Sequence, residues 1–108
     1  MKKQDRQKAP LPCPEMADVR AQIDRIDCEL VALLRERLNW VEQAGKVKQS
    51  RDQVVDNPRI EEVVANVIEQ AEEAGLPTVM TEKIWRLLIE QSIAHEYQIF
   101  DWETRSDD

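Results

Sequence analysis

Between about Ala17 and Arg51 the apolar residues Val19, Ile23, Ile26, Leu30, Leu33, Trp40, Ala44 and Val47 recur at alternating intervals of four and three, the period of one long amphipathic α-helix. A helix of about 33 residues is ~50 Å long at ~1.5 Å per residue, whereas a domain of about 100 residues has a radius of gyration near ~13 Å. Its apolar seam would run far past its own domain. A second copy of the chain is therefore expected to cover it, as a homodimer with a two-fold axis and two equivalent sites.

One member of the seam is unsuited to a core. The rhythm that leaves Leu33 reaches Arg37 before Trp40, and Lys48 follows about three turns later on nearly the same face. Burying a guanidinium and an ammonium without an anion is costly, so something negative is expected to meet that face. The net charge of −7 over 108 residues argues against nucleic acid and against an anionic membrane surface, both of which want a basic stripe. The expected anion is thus a small ligand held locally against an unfavourable global field.

The remaining sequence reads as helix and connection. With only 2 glycines, both near places where a helix could end or bend, and no β-branched run of period two, the fold class is all-α, a three-helix chain. Residues 1–15 are polar and proline-rich and are read as a flexible leader, residues 16–102 as the folded domain, and the charged segment 103–108 as a frayed tail. Asp18 or a residue just before it caps the first helix. Gln49 to Asp56 is a connecting loop that can act as a lid. Asn57 is the expected cap of a second helix with Pro58 at its first position, and Ile60, Val63, Val64, Val67, Ile68 and Ala71 form its buried face. Gly75 suits a left-handed helix end, with Pro77 blocking continuation. Thr78 or Thr81 opens a third helix whose inner face carries Ile84, Trp85, Leu88, Ser92, Glu96 and Ile99. Cys13 and Cys28 have no metal or redox spacing and are read as reduced thiols. No apolar run reaches the length of a signal or membrane segment, which points to the cytoplasm.

Polar residues on otherwise apolar faces form a short set: Arg37 and Lys48 on the first helix, Arg59 at the start of the second, Ser92 and Glu96 on the third. Together they describe a cationic pocket with one acid and one hydroxyl. It holds no nucleophile paired with a base, no cluster of metal ligands and no glycine-rich phosphate loop. Such a pocket binds a small polyanion and stabilises charge that shifts within it, which suits a reaction needing neither metal nor cofactor. Each member also has a plainer reading: Arg37 as a surface arginine with a snorkelling stem, Arg59 as cover for the end of the first helix, Ser92 as a small packing residue, His95 as a solvated neighbour of Glu96. Trp40 and Trp85 read as core or dimer-interface aromatics, and Trp102 as a pin for the C-terminus.

The segment MADVRAQIDRIDCELVALLRERLNWVEQAGKVK resembles the first helix of the all-helical, type II chorismate mutase family. An Arg before Ile-Asp-x-Ile-Asp, an Ala-Leu-Leu-x-x-Arg and a terminal Gly-Lys-x-Lys match it at Arg20, Arg37 and Lys48, and the resemblance extends over about residues 16–101. It is especially similar to the isochorismate-pyruvate lyase branch, on Cys13 to Arg20 and Gln22 to Asp27. The resemblance implies an intertwined dimer of three-helix chains. It also implies that Arg37 pairs with a substrate carboxylate, that Lys48 reaches a carboxylate and the bridging ether oxygen, and that Arg20 comes from the partner chain. Arg20 and Arg37 lie ~25 Å apart along the helix and about a quarter-turn off its face, so within one chain they cannot share a site. Arg59 matches an arginine at the start of the family's second helix, and Asp56 lies near a loop residue that contacts substrate through its backbone. Two positions depart from the bacterial mutases: Ile60 stands where a Glu often holds the substrate hydroxyl, and Glu96 stands where many members have a Gln.

The resulting expectation is a cofactor-free rearrangement of chorismate to prephenate by a homodimer, with a small dianionic enolpyruvyl acid as substrate. In that reading a protonated Glu96 and Lys48 serve the ether oxygen. Isochorismate-pyruvate lyase activity, yielding salicylate, is the alternative, followed by rearrangement of 4-amino-4-deoxychorismate. The non-enzymatic alternative is a dimeric helical interaction module with a vestigial pocket.

Overall fold

A computed structural model describes residues 15–106, and the leader assigned to residues 1–15 lies outside them except for Glu15. Its helices are α1, Met16–Val47, α2, Asn57–Ala74, and α3, Thr78–Ser106, with a single 3₁₀ turn, Arg51–Gln53, between the first two. No strand occurs among the described residues, in keeping with the all-α expectation. No described helix is long and apolar enough to cross a membrane.

Backbone contacts divide the chain into two units, one through Arg37 and one from Leu38 onward. The first is the leading part of α1. Asp18 is the third helical residue, and its carboxylate accepts the Glu15 backbone N–H at 3.3 Å, so it caps by reaching back to the residue before the helix. Val19, Ile23, Ile26, Leu30, Val31, Leu33 and Leu34 are all exposed here, so the periodic seam is present but finds no cover within its own unit. The thiol of Cys28 is free and exposed.

The second unit contains the end of α1, the 3₁₀ turn, α2 and α3. The α2 cap is Asp56, one residue earlier than expected: its backbone is extended and its carboxylate accepts the Arg59 N–H at 3.1 Å. Asp and Asn cap about equally well, but the charge of Asp56 also gains from the positive end of the helix dipole. Asn57 is accordingly the first helical residue and Pro58 the second, where a missing N–H still costs nothing. At the other end Gly75 has φ 75°, with Leu76 N–H bonded to Ala71 O at 2.8 Å and Gly75 N–H to Glu72 O at 3.3 Å. These are the two bonds of a Schellman ending, which needs a residue tolerant of the left-handed region.

The short connection folds α3 back antiparallel on α2. Val64 and Ala71 are buried and Ile60, Val63, Val67 and Ile68 half-buried, so the expected face of α2 is the observed one. On α3 Glu96 is buried and Trp85, Leu88, Ser92 and Ile99 are half-buried, as expected, and the departures lie at single positions. Ile84 is exposed, while Ile89 and Thr81 are buried. Residues 81, 85, 88, 89, 92 and 96 share one side of the helix, and position 84 lies beyond its edge, about 90° from its centre. The Thr81 hydroxyl, in a residue 2% exposed, donates to Pro77 O at 2.9 Å, so its burial leaves no orphan donor. Helix α3 continues through residues 103–106, where the composition suggests fraying, and Thr104 Oγ1 donates to Phe100 O at 2.9 Å. Across α2 and α3, Arg86 forks onto Glu61 at 3.0 and 3.1 Å and reaches Glu82 at 2.8 Å. The guanidinium holds the Glu61 carboxyl below its ordinary value.

Candidate active site

The site begins at a glycine. Gly45, in the last turn of α1, is buried, and a Cβ there would stand 3.1 Å from Glu96 O, 3.2 Å from Glu96 Cγ and 3.2 Å from Ile99 Cβ. The absent side chain lets α1 lie directly against α3 at Glu96. From sequence both glycines read as places where a helix ends or bends. Gly45 does lie in the last turn of its helix, and there it also serves close approach.

That approach brings together Lys48 and Glu96. Lys48 is the first residue past α1, its N–H bonded to Ala44 O at 3.3 Å, where the negative end of the helix dipole favours a cation. Its Nζ donates to Glu96 Oε2 in a direct ion pair. Glu96 is 7% exposed, and an ammonium partner is what offsets the burial of a carboxylate there. One turn earlier on α3, the Ser92 hydroxyl donates to Leu88 O at 2.7 Å. One residue earlier, His95 Nε2 meets Glu42 Oε2 at 2.8 Å, both side chains half-buried. Two pairs of opposite polarity, Lys48 with Glu96 and Glu42 with His95, thus tie the end of α1 to α3.

Beside Lys48 opens a cavity of about 570 Å³ lined by Lys48, Gln53, Val55, Asp56, Asn57 and Pro58, a size typical of small-ligand sites, ~300–1,000 Å³. Its loop wall is tied down at several points. Val54 is buried. Arg51 pairs with Asp101 at 3.2 Å and lies 4.3 Å from the centre of the Tyr97 ring, a cation–π contact. Ser50 Oγ donates to Asp52 at 2.5 Å, and Gln53 Oε1 accepts the N–H of Gln49 at 2.8 Å and of Ser50 at 3.4 Å.

The residues singled out from sequence fall into three groups. Lys48 and Glu96 are in contact, with Ser92 one turn away and Asp56 on the wall of the Lys48 cavity, its carboxylate occupied as the α2 cap. Arg59 is exposed and pairs with Glu62 at 2.5 Å, and Ile60 lines a separate cavity of about 230 Å³ with Arg86, Ile89, Glu90 and Ile93. Arg20, exposed, and Arg37, half-buried, belong to the first unit. Gln53, Gly45 and the Glu42–His95 pair were not singled out. Ser50-x-x-Gln53 is a legible capping signature, whereas nothing in the sequence links Glu42 to a histidine two helices away. Among the described residues no three His, Cys, Asp or Glu side chains are grouped to hold a metal ion.

Comparison with known proteins bears on this arrangement. The family model described as chorismate mutase type II matches residues 19–97. The chain is 32% identical over 89 residues to the isochorismate pyruvate lyase of Pseudomonas aeruginosa, covering 82% of this chain and 88% of that protein. It is 33% identical over 94 residues to the T-protein of Haemophilus influenzae, covering 86% of this chain and 25% of that protein.

Proposed function

Because the chain belongs to the chorismate mutase type II family, we propose that it is a cytoplasmic, homodimeric enzyme that rearranges chorismate to prephenate without a cofactor. The observation that carries this reading is the Lys48–Glu96 pair, set between two helices at the edge of a ligand-sized cavity. In the rearrangement the ether carbon–oxygen bond breaks while a carbon–carbon bond forms between the enolpyruvyl methylene and the ring, and the enolpyruvyl carbon keeps its oxygen as a ketone. No proton need move. Catalysis then consists of holding the substrate in its compact form and aiming donors at the ether oxygen, where negative charge grows.

Lys48 supplies one such donor, and Glu96, paired with it, is the second group at the ether oxygen. Arg37, with Arg20 supplied by the partner subunit, holds the two carboxylates, and Ser92 and Asp56 complete the surroundings, while Arg59 and Ile60 stand apart from this cavity. The exposed seam on the first unit supports the dimer, since seven apolar side chains left in water would favour association.

Isochorismate-pyruvate lyase activity is the second reading. It is favoured by the Pseudomonas aeruginosa relative, which this chain covers over 88% of its length. Incubating the purified protein with chorismate and, separately, isochorismate distinguishes the two. Prephenate from chorismate is the expected result. Salicylate and pyruvate from isochorismate, with chorismate untouched, would replace the first reading by the second. Turnover of neither, together with no binding of a bicyclic dicarboxylate mimic of the transition state, would leave a non-catalytic dimeric module.

A further inference from the structure

We infer that Gln53 is a substrate-binding residue of the Lys48 cavity, its side-chain amide donating to an anionic oxygen of the ligand; the inference rests on the functional reading above and deepens it. Gln53 lines the same cavity as Lys48, and its side chain is oriented rather than loose. The carbonyl oxygen Oε1 is engaged on the loop side by Gln49 N–H at 2.8 Å and Ser50 N–H at 3.4 Å. Gln53 N–H in turn bonds Ser50 O at 3.1 Å, and the turn is anchored by the buried Val54 beside it. An amide with its oxygen so occupied has only its NH₂ left to offer, and that nitrogen makes no hydrogen bond to any described residue.

The chemistry of the cavity selects what it would bind. Of the other lining residues, Lys48 brings a cation, Asp56 has one carboxylate oxygen committed to Arg59 N–H, and Val55 and Pro58 are apolar. A fixed neutral donor next to an ammonium suits a carboxylate or a hydroxyl-bearing anion: it adds a directed hydrogen bond where Lys48 adds charge. Because Lys48 already neutralises Glu96, a second donor on the same wall gives the ligand a contact that does not compete with that pair.

The capping geometry separates the two roles of this side chain. Gln53→Glu keeps an acceptor for the N–H groups of Gln49 and Ser50, since Glu serves this position of a capping box as well as Gln, but replaces the NH₂ by a second anionic oxygen. The expected result is unchanged thermal stability, with KM and the Kd of the bicyclic dicarboxylate raised about tenfold or more and kcat changed far less. Gln53→Met, which has neither donor nor acceptor, should weaken binding too. High salt should not restore the affinity of either variant, whereas a loss due only to the remote charge of the introduced carboxylate would be screened. A Gln53→Glu protein that binds the mimic as wild type does, or recovers fully in salt, would overturn the assignment. Wild-type protein that binds the mimic but turns over neither substrate would overturn the enzymatic reading while leaving the ratio of affinities to judge Gln53. Failure of wild type to bind the mimic would overturn both.

Discussion

Removing one member of the Lys48–Glu96 pair leaves the other uncompensated in a place where water is scarce, so the two residues fail differently when changed. Lys48→Ala should lower kcat by roughly 10²–10³-fold, the scale of losing one donor aimed at developing charge. Glu96→Gln should do something else. A carboxylate paired with Lys48 only accepts, whereas an amide in its place also donates, so the Gln variant should hold or exceed wild-type activity. Steady-state rates of both proteins test this; a Gln variant slowed as far as Lys48→Ala would remove position 96 from the donor role. Gly45 is tested by its smallest substitution. In an open helix Gly→Ala would stabilise by roughly 1 kcal/mol, but at this position the new methyl meets the Glu96 carbonyl and Ile99. Overpacking of this kind costs ~1–3 kcal/mol. Gly45→Ala should therefore lower the melting temperature and activity together, because the methyl pushes Glu96 away from Lys48. A stabilised, fully active variant would show that the helices do not depend on that close approach.

At the scale of elements, α2 and α3 are joined through Val64, Ala71 and Ile89 inside and through Arg86 with Glu61 outside. The Glu61 carboxyl is held below its ordinary value of 4.5, first by its hydrogen bond to Arg86 and then by the charge of that guanidinium. A depressed carboxyl contributes stability that is present above its unfolded value and is lost as the pH falls through the folded one. The stability difference between wild type and Glu61→Gln should thus be constant near neutrality, shrink below about pH 4.5, and vanish in stronger acid. Because both groups stand in water, the difference should be small and weakened by salt. Denaturant titrations across that range measure it; a gap that widened towards acid would contradict the sign. Helix α1 presents the opposite case. Its ends are well formed, yet through Arg37 its apolar residues meet nothing of their own unit, and on α3 Val79, Met80, Ile84 and Leu87 are exposed as well.

For the whole molecule, those surfaces and the two arginines of α1 lead to one experiment. Arg20 and Arg37 are ~25 Å apart along a helix, so a site using both draws them from different subunits. Arg20→Ala and Arg37→Ala should each be nearly inactive alone. After mixing and subunit exchange, activity should return towards about a quarter of the wild-type level, since half the molecules are heterodimers and each carries one intact site of two. Exchange verified by mass with no recovered activity would show that the site is not shared. Sedimentation at falling concentration should show loss of folded structure along with loss of the dimer.

Much of the architecture was legible because it is decided within a few residues along the chain. The period of four and three over α1, the buried face of α2, and the glycine at the end of α2, with φ 75°, each follow from interactions between near neighbours. Where two neighbours compete the sequence leaves a choice: Asp56 caps in place of Asn57, its charge gaining from the helix dipole, and at the edge of the α3 stripe Ile84 is exposed while Ile89 is buried. Lys48 and Glu96 were each recognisable as polar residues on apolar faces. Their pairing across the fold, the contact of Glu42 with His95, and the use of Gly45 as a point of closest approach were not recognisable. Those depend on how far two helices approach and how each is turned about its axis, which the packing of their side chains decides and no local interval of residues records.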